Sequence, residues 1–501
     1  MSEHNGHIMM NRRQFLKIAA GAAMGCWLGS SRAAATQSAR PNFVFILVDD
    51  LGWRDLGCFG SSFYDTPHID QLAKEGMRFT DAYAACPVCS PTRASIQTGK
   101  YPVRMGTTDW FGAPQPETAH LHPTGTKPLL PAPYNDRLPL EEITIAEALK
   151  AGGYATFFAG KWHLGGEGYY PETQGFDINI GGYEKGSPVS YFSPYGNPKL
   201  SDGPPGEHLP ARLARESVHF LETRPSDRPF LLFLSFYSVH TPLQGRKDLV
   251  AKYKDRARQL GAQEPLYIEE HGHKVRQTQN HPVYGAMVEA MDEAVGDVLD
   301  ALERLGLADS TAVFLTSDNG GLSTIGEGAP TSNVPLRAGK GWLYEGGIRV
   351  PLIAKWPGVT APGSACSVPV ISPDFYPTLL EMAGLHPASG QILDGTSLVL
   401  LLRGESSAPP RPLYWHYPHY GNQGAFPGGA VRLGDYKLIE FFEDGHQELY
   451  NLRDDLSETR DLRAEEPDRA AELVHLLHAW QKETGARFPS PNPNAGKGKI
   501  I

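Results

Sequence analysis

The stretch Asn42-Phe43-Val44-Phe45-Ile46-Leu47-Val48-Asp49-Asp50 joins an apolar run directly to two neighbouring carboxylates. A short apolar run bounded by polar residues predicts a buried β-strand. Similar runs lie at residues 155–159, 229–236, 311–316 and 350–355, with segments of helical periodicity between them. The alternation predicts an α/β fold: a large mixed, mostly parallel sheet flanked by helices, with ligands at the carboxyl ends of its strands.

One of the predicted helices has a clear apolar face. Met287, Met291 and Val295 begin a series of apolar residues that recur every three or four positions. This spacing is typical of a helix packed on a core, and Gly306 is expected to end it.

The character of the sequence changes near Pro409. Short runs at residues 413–417, 430–433, 436–442 and 447–452 predict an antiparallel sheet, and an amphipathic helix is expected around residues 469–480. We therefore predict a large domain over residues 36–408 and a smaller C-terminal α+β subdomain over residues 409–501. The tail from Phe488 onward, rich in Pro, Asn, Gly and Lys, is expected to be loose or draped over the surface.

Charge and cysteine content exclude some classes of protein. The 501 residues include 46 Lys and Arg against 56 Asp and Glu, a net charge of -10. This balance argues against a nucleic-acid-binding protein, which would show a basic face. Five cysteines in a chain of this length are too few for a disulfide scaffold.

The first 35 residues have the order of an export signal. Arg12-Arg13 precedes the uncharged stretch 18–31, and Ala33-Ala34-Ala35 offers a cleavage site. The pattern resembles a twin-arginine signal, which implies the twin-arginine translocase as a partner and a periplasmic or secreted protein. A chance basic N-terminus and a lipidated Cys26 are the alternatives. The stretch is too short for a spanning helix and the rest of the chain has no longer apolar run, so no stable membrane insertion is expected.

Carboxylates and an amide follow two of the predicted strands. Asp49 and Asp50 come after the first strand, and Asp318-Asn319 comes after the run at 311–316. Oxygen ligands of this kind suit a hard cation such as Ca²⁺ or Mg²⁺ better than zinc. Two unrelated solvated turns are the alternative.

The segment Cys86-Pro87-Val88-Cys89-Ser90-Pro91-Thr92-Arg93 predicts a helix start. Pro91 fits the first turn and Ser90 could be the N-cap, so that Cys89 lies at a helix N-terminus that favours anions, with Arg93 nearby. Two other interpretations remain open. The C-x-x-C pair of Cys86 and Cys89 could carry out dithiol redox chemistry, or both cysteines could simply be buried at a turn.

The same segment carries a resemblance to a known family. Cys89-Ser90-Pro91-Thr92-Arg93 matches the C-x-P-x-R signature of the type I sulfatases of the alkaline phosphatase superfamily. Gly160-Lys161-Trp162-His163-Leu164-Gly165 is similar to their second signature. The resemblance extends from Asn42 to Leu452; Thr92 departs from the usual serine but keeps a hydroxyl group.

The resemblance implies the chemistry of the site. A separate maturation enzyme would oxidise Cys89 to formylglycine, whose hydrate attacks sulfur. A Ca²⁺-like ion would be bound by Asp49, Asp50, Asp318, Asn319 and the modified Cys89. Arg93 would hold the nucleophile region, Lys161 and His163 would supply further positive groups, and His240 and Lys340 would contact the leaving group and sulfate.

The resemblance thus implies an exported sulfatase that cleaves a sulfate ester, expected to be a carbohydrate sulfate, to an alcohol and inorganic sulfate. The aromatic stretch Trp415-His416-Tyr417-Pro418-His419-Tyr420 could line a sugar-binding cleft or pack in the core. The rivals are a phosphonate monoester or phosphodiester hydrolase of the same superfamily, a C-x-x-C thiol oxidoreductase, and a non-catalytic binding protein.

Overall fold

The computed structural model describes residues 40–405 and 410–496. The expected signal peptide at 1–35, including Cys26, lies outside these ranges. The boundary expected between 408 and 409 also lies outside them, so the division into domains stays a prediction. In the described ranges, every helix is too short or too polar to cross a bilayer.

The described residues form seventeen strands and eleven α-helices, joined by loops and short 3₁₀ turns. The strands are β1 Asn42–Val48, β2 Met77–Tyr83, β3 Leu129–Leu130, β4 Ala155–Gly160, β5 Ile178–Ile180, β6 Phe230–Ser235, β7 Tyr267–Glu270, β8 His273–Arg276, β9 Thr311–Ser317, β10 Arg349–Lys355, β11 Ser364–Cys366, β12 Val370–Ile371, β13 Leu413–Tyr417, β14 Gly428–Leu433, β15 Tyr436–Phe441, β16 Gln447–Asn451 and β17 Ser490–Pro491. The helices are α1 Pro67–Glu75, α2 Cys89–Thr98, α3 Pro102–Met105, α4 Ile145–Ala151, α5 Leu209–Thr223, α6 Lys247–Leu260, α7 Pro282–Arg304, α8 Glu345–Ile348, α9 Phe375–Met382, α10 Val399–Leu402 and α11 Pro467–Thr484.

The large sheet has nine strands. Eight of them follow the order β11-β2-β10-β9-β1-β6-β4-β5, and β12 pairs with β2. Strand β10 runs antiparallel to β9 and β2, whereas β1 is parallel to both β6 and β9, and β4 is parallel to β6 and β5. This arrangement confirms the predicted mixed, mostly parallel sheet.

Strand β1 contributes side chains to two hydrophobic cores, one on each face of the sheet. Phe43, Phe45 and Leu47 pack on one face of the sheet, with residues of α2, α4 and α9. Val44, Ile46 and Val48 pack on the other face, with residues of α1, α5, α6 and α7. Because side chains alternate along a strand, an unbroken apolar run serves both cores, which explains why the sequence shows no polar alternation here.

The expected bounds of most elements match, but the start of α2 does not. The helix begins at Cys89 with Val88 as its N-cap, so the expectation that Ser90 is the N-cap was wrong. The Ser90 hydroxyl instead accepts a hydrogen bond from the backbone N–H of Phe111 (3.0 Å). Further along the chain, α7 ends at Arg304 and Gly306 follows with a φ of 66°.

The C-terminal region forms the predicted antiparallel sheet, in the order β13-β14-β15-β16, covered by α11. Its apolar side chains share a core with residues of the large sheet, including Tyr83 and Ile371. The tail is draped over the surface, because β17 pairs with β3 and the Asn492 side chain donates to the backbone oxygen atoms of Gly125 and Lys127.

Candidate active site

The parallel strands at the centre of the large sheet end at one edge, and the predicted site residues follow them along the chain. This is the edge at which α/β sheets bind ligands. Asp49 and Asp50 follow β1, Lys161 and His163 follow β4, His240 follows β6, Asp318 and Asn319 follow β9, and Cys89 and Arg93 lie in the first turns of α2.

The backbone turns sharply at Asp50. Its φ is 58°, in the left-handed region that non-glycine residues seldom adopt. This turn lets Asp49 and Asp50, which would point to opposite faces of a continuing strand, both face the site. The turn is held by the N–H of Asp50, which donates to Oδ1 of Asp318 (3.2 Å).

Three cationic side chains face the three buried carboxylates. Lys161 Nζ donates to Oδ2 of Asp49 (2.8 Å), and Arg93 Nε donates to Oδ2 of Asp318 (2.8 Å). Lys340 Nζ lies 2.6 Å from Oδ1 of Asp50. The three cationic groups therefore match the three carboxyl groups in number before any cation or anion binds.

The environment affects the carboxylates differently. Burial raises the pKa of Asp49 well above its usual value, despite the nearby Lys161. Burial acts in the same direction on Asp50 and Asp318, but cations outweigh it. Lys340 holds the pKa of Asp50 below its usual value, and Arg93 does so for Asp318.

The polar atoms left without partners fit a cation. Oδ1 of Asp49 and Oδ1 of Asn319 are buried without a hydrogen-bond donor in the described part of the chain. Ligand atoms of Asp49, Cys89 and Asp318 all lie within 4.8 Å of one another. Unpaired buried oxygen atoms are costly, and a hard cation such as Ca²⁺ or Mg²⁺ takes such ligands. The residues present therefore fit a divalent cation held by oxygen atoms.

Cys89 occupies the first position of α2 and is only 4% exposed. Burial raises the pKa of its thiol, although Lys161 and Lys340 act in the opposite direction. Burial also raises the pKa of Cys86 well above its usual value. Because thiolates are the reactive form in dithiol exchange, this environment disfavours redox chemistry by the Cys86–Cys89 pair.

Arg93 is fixed by four hydrogen-bonded contacts or ion pairs. Besides Asp318, its Nη1 donates to Oγ of Ser235 (2.7 Å) and to the backbone oxygen of Lys161 (2.9 Å). Its Nη2 lies 3.8 Å from Oδ1 of Asp49. The guanidinium thus connects the ends of β1, β4, β6 and β9, which suits a residue that holds the geometry of the site.

His240 lies beside Asp50 and Lys340. Its Nε2 is 3.7 Å from Oδ2 of Asp50, and its Nδ1 is 2.7 Å from the backbone oxygen of Thr241. A carbonyl oxygen only accepts, so Nδ1 carries a hydrogen. Burial and the neighbouring Lys340 lower the pKa of His240 to about 3. The imidazole is therefore neutral near pH 7, and an anion bound close to it would favour protonation of Nε2.

His163 is a buried residue that lines the same cleft as His240. Its Nε2 lies 3.1 Å from the backbone oxygen of Phe111, so Nε2 carries the hydrogen of the neutral ring. Its Nδ1 is buried without a partner in the described ranges, and burial lowers the pKa of the ring well below its usual value. In this tautomer Nδ1 can accept a hydrogen bond but cannot donate one to a sulfate oxygen.

His163 and His240 open, with Cys89 and Lys340, into a cleft of about 570 Å³. Four of its lining residues, namely Cys89, His163, His240 and Lys340, have roles that the sequence predicts, whereas others come from loops without periodic patterns. These others include Trp110, Phe111, Lys185, Asn422 and Gln423. In the sequence, the aromatic pair before Gly112 is the one feature that indicates a ligand-binding role for any of these residues. Nothing in the pattern around residues 422–423 indicates such a role.

The aromatic stretch at 415–420 packs in the core and does not line this cleft. Trp415 is 1% exposed and donates from Nε1 to the backbone oxygen of Ala84 (2.8 Å). Tyr417 is buried and donates to Oδ1 of Asp109 (3.1 Å). Of the two alternatives that the sequence left open, packing therefore applies to these residues. The turn that follows the stretch supplies Asn422 and Gln423 to the cleft instead.

Comparisons with known proteins agree with this geometry. The sulfatase family model matches residues 41–385, and a model described as N-sulphoglucosamine sulphohydrolase, C-terminal, matches residues 338–484. A sulfatase from Formosa agariphila is 33% identical, over 93% of this chain and 94% of its own length. Human arylsulfatase A is 34% identical, over 91% of this chain and 84% of its own.

Solved structures are similar as well. The structure of Ps i-CgsB in complex with k-i-k-neocarrahexaose has a TM-score of 0.70 and 27% identity. The match covers 91% of this chain and 94% of that one. With the family model spanning more than half of the sequence and the Cys89 signature at the edge of the sheet, the chain belongs to the sulfatase family and is a sulfuric ester hydrolase.

Proposed function

We propose that this sulfatase hydrolyses the sulfate ester of a carbohydrate, using a formylglycine made from Cys89 and a bound divalent cation, Ca²⁺ in preference to Mg²⁺. The observation that carries the proposal is the position of Cys89. It begins α2, its Sγ lies within 4.8 Å of ligand atoms of Asp49 and Asp318, and it opens into the cleft. The maturation enzyme that would oxidise Cys89 is a further expected partner.

The overall reaction breaks the sulfur–oxygen bond to the alcohol and adds water, giving an alcohol and inorganic sulfate. Asp49, Asp50, Asp318 and Asn319 would hold the cation. A hydrated formylglycine would supply a hydroxyl nucleophile, and the cation would favour its deprotonation and polarise the sulfate.

The residues of the chain bind and orient the ester. Lys161 and Lys340 stand beside Asp49 and Asp50 and would pair with sulfate oxygen atoms. Arg93 keeps Asp318 in place through its guanidinium. Because three cations already match the three carboxyl groups in number, a bound divalent cation would leave the site with excess positive charge, which favours an anionic ester.

The leaving alcohol needs a proton. His240 would donate it from Nε2, since Nδ1 donates to the backbone oxygen of Thr241 and fixes the orientation of the ring. The sulfate ester would itself favour protonation of His240 by bringing a negative charge near the imidazole. Lys340 would contact sulfate from the same side.

Two findings support a carbohydrate substrate. The C-terminal family model is named for a sulfohydrolase of a sulfated sugar, and the solved relative Ps i-CgsB binds a neocarrahexaose. The cleft also combines Trp110 with polar side chains such as Lys185 and Asn422. An aromatic ring beside polar groups is suited to the apolar face and the hydroxyl groups of a sugar.

The mass of the tryptic peptide that contains Cys89 tests maturation. In protein purified from its native host, we expect a mass about 18 Da below that of the thiol form, because SH₂ is lost and oxygen is gained. An unmodified thiol in active protein would contradict the formylglycine mechanism. A disulfide with Cys86, about 2 Da below the thiol form, would favour the redox interpretation.

Turnover of two nitrophenyl esters separates the rival hydrolases. We expect 4-nitrophenyl sulfate to be hydrolysed faster than bis(4-nitrophenyl) phosphate, and Cys89→Ser to lose most of this activity. Cys86→Ser is the matched control and should remain active, because Cys86 lies outside the cleft lining. Faster hydrolysis of the phosphodiester would favour the phosphodiesterase alternative.

We further propose that the protein is exported by the twin-arginine route to the periplasm or the medium, on the basis of Arg12-Arg13 and the stretch that follows. Replacement of both arginines by lysine should retain the full-length protein in the cytoplasm. Unchanged export of the double variant, measured by cell fractionation, would contradict the proposal.

A further inference from the structure

We infer that Gln423 is a specificity-determining residue that hydrogen-bonds the alcohol portion of the ester. The substrate then carries a hydroxyl or amide group close to its sulfate, as a saccharide does and a plain aryl or sterol ester does not. This inference rests on the proposed function and narrows its substrate class.

The side chain of Gln423 is placed at the cleft but left without a partner. It lines the same cleft as Cys89, His240 and Lys340. It is 8% exposed, and its Oε1 is buried without a hydrogen-bond donor among residues 40–405 and 410–496. Oε1 is enclosed against the loop that carries Lys340, whereas Nε2 has no hydrogen-bond acceptor in the described part of the chain and is the end of the amide that can meet a ligand in the cleft.

The backbone of Gln423 is fixed. Its carbonyl oxygen accepts a hydrogen bond from Nε1 of the buried Trp342 (3.0 Å). Trp342 follows Lys340 by two positions, so the turn that carries Gln423 is attached to the loop that carries a predicted catalytic residue. The amide can therefore serve as a positioned contact without further ordering of its backbone.

Gly341 shows how closely the amide approaches the Lys340 loop. A Cβ atom at Gly341 would lie 2.9 Å from Oε1 of Gln423, and the φ of Gly341 is 89°. The N–H of Gly341 donates to the backbone oxygen of Pro87 (2.8 Å), just before Cys89. Gln423 thus lies against the Lys340 loop, which is itself hydrogen-bonded to the segment before Cys89, and all three line the cleft where the part of the alcohol nearest to sulfate would be bound.

The chemistry of the side chain selects the ligand. With Oε1 enclosed, the amide nitrogen of Gln423 donates, so it can pair with the oxygen atom of a hydroxyl group or of an acetamido group of a sugar. A site that hydrogen-bonds a substrate group strongly disfavours analogues that lack it, because its own polar group then stays unpaired. An apolar ring beside the sulfate would leave the Gln423 amide without a partner.

Gln423→Met tests the inference, since it keeps an unbranched side chain of similar length and removes the amide. The probes are 4-nitrophenyl sulfate and a panel of galactose and N-acetylglucosamine sulfates substituted at different positions. We expect kcat/KM for the best saccharide sulfate to fall by about 10–100-fold. Turnover of 4-nitrophenyl sulfate should stay within about threefold, since its leaving group offers no hydroxyl or amide. Gln447→Met, on β16 and outside the cleft lining, is the matched control and should change neither value.

Equal losses on both classes of probe, or no loss on the saccharide, would overturn the role of Gln423. Wild-type enzyme that hydrolyses 4-nitrophenyl sulfate but no saccharide of the panel would overturn the inferred substrate class and leave the sulfatase intact. Failure of matured wild-type protein to release sulfate from every probe would instead overturn the proposed function, and this inference with it.

Discussion

The backbone turn at Asp50 could be predicted from the sequence, whereas other details of the site at the scale of single residues could not. The sequence required the backbone to turn after Asp49 if both carboxylates were to bind one cation, and the φ of 58° at Asp50 is that turn. The tautomers of His163 and His240 could not be foreseen. They depend on the backbone oxygen atoms of Phe111 and Thr241, and the former lies far away in the sequence.

At this scale, His240→Ala should reduce turnover more for an alkyl or sugar sulfate than for 4-nitrophenyl sulfate. Loss of a general acid costs about 10²–10⁴-fold in rate, and least where the leaving group is already a weak base. Initial rates on both substrates check this expectation. Equal losses on both would remove His240 from the role of proton donor.

Gly186→Ala tests whether turnover depends on the position of the His163 ring, against which Gly186 packs. A Cβ atom at Gly186 would lie 2.4 Å from Cε1 of the His163 ring, so the ring or the loop must move. We expect a loss of kcat/KM of roughly tenfold or more, since small misplacements in a site are costly. Gly328→Ala, which like Gly186 has no positive φ but whose Cβ would meet only Ile325 Cδ1 at 3.6 Å, reports the cost of the added methyl group without a clash. An unchanged rate for Gly186→Ala would show that the position of His163 does not limit turnover.

Elements were predicted well where their patterns were periodic. The apolar run 42–48 and the face beginning at Met287 gave β1 and α7, because both cores need those side chains. The sequence does not predict that β15 packs against α8, because this contact depends on charged residues that are distant in sequence. Lys437 on β15 is fully buried between Glu345 and Glu458, at 3.0 and 2.8 Å.

Lys437→Met should therefore destabilise the protein strongly. The two carboxyl groups would lose the cation between them, and breaking a buried ion pair from one side costs about 3–5 kcal/mol. Lys252→Met, which removes two ion pairs, with Asp65 and Glu289, that are much more exposed, should cost no more than about 1 kcal/mol. Chemical unfolding of both variants measures the difference, and equal effects would contradict this account.

A second prediction at this scale concerns Asp292 on α7, which accepts hydrogen bonds from the backbone N–H groups of His68 and Ile69 at the start of α1. Burial raises its pKa to about 6. Its unfolded value is near 4, so the unfolded chain loses the proton first. The contribution of Asp292 to the free energy of unfolding is therefore fully present below about pH 4 and is lost as pH rises through 6. The loss is on the order of 3 kcal/mol.

Asp292→Asn should flatten this part of the pH dependence. Urea unfolding at pH 4, 5, 6 and 7 measures the difference between wild type and variant, which should shift in favour of the variant as pH rises. A difference that is independent of pH would show that Asp292 has an ordinary pKa in the folded protein.

For the whole molecule, the family and the position of its site could be predicted, and the shape of the cleft could not. Motifs near strand ends report on the sheet edge, whereas Trp110 and Gln423 come from loops whose course depends on tertiary packing. The course of the draped tail likewise depends on tertiary packing, because β17 pairs with a strand about 360 residues earlier.

Removal of the proposed cation tests the molecule as a whole. Treatment with a chelator should abolish sulfate release and lower the melting temperature, because Asp49 and Asn319 regain unpaired oxygen atoms. Ligand present at about 100 times its dissociation constant stabilises by about 2.7 kcal/mol. Ca²⁺ should restore both properties at lower concentration than Mg²⁺. Full activity after exhaustive chelation would contradict a metal-dependent mechanism.

The burial of Cys89 also sets an order of events. At 4% exposure, with Asp318 and Lys161 packed around it, its thiol is out of reach of another protein once β9 has joined the sheet. Under the proposed maturation, the modifying enzyme would have to oxidise Cys89 before the fold is complete. Conditions that delay folding should raise the modified fraction of the purified protein, and those that speed it should leave more molecules permanently inactive.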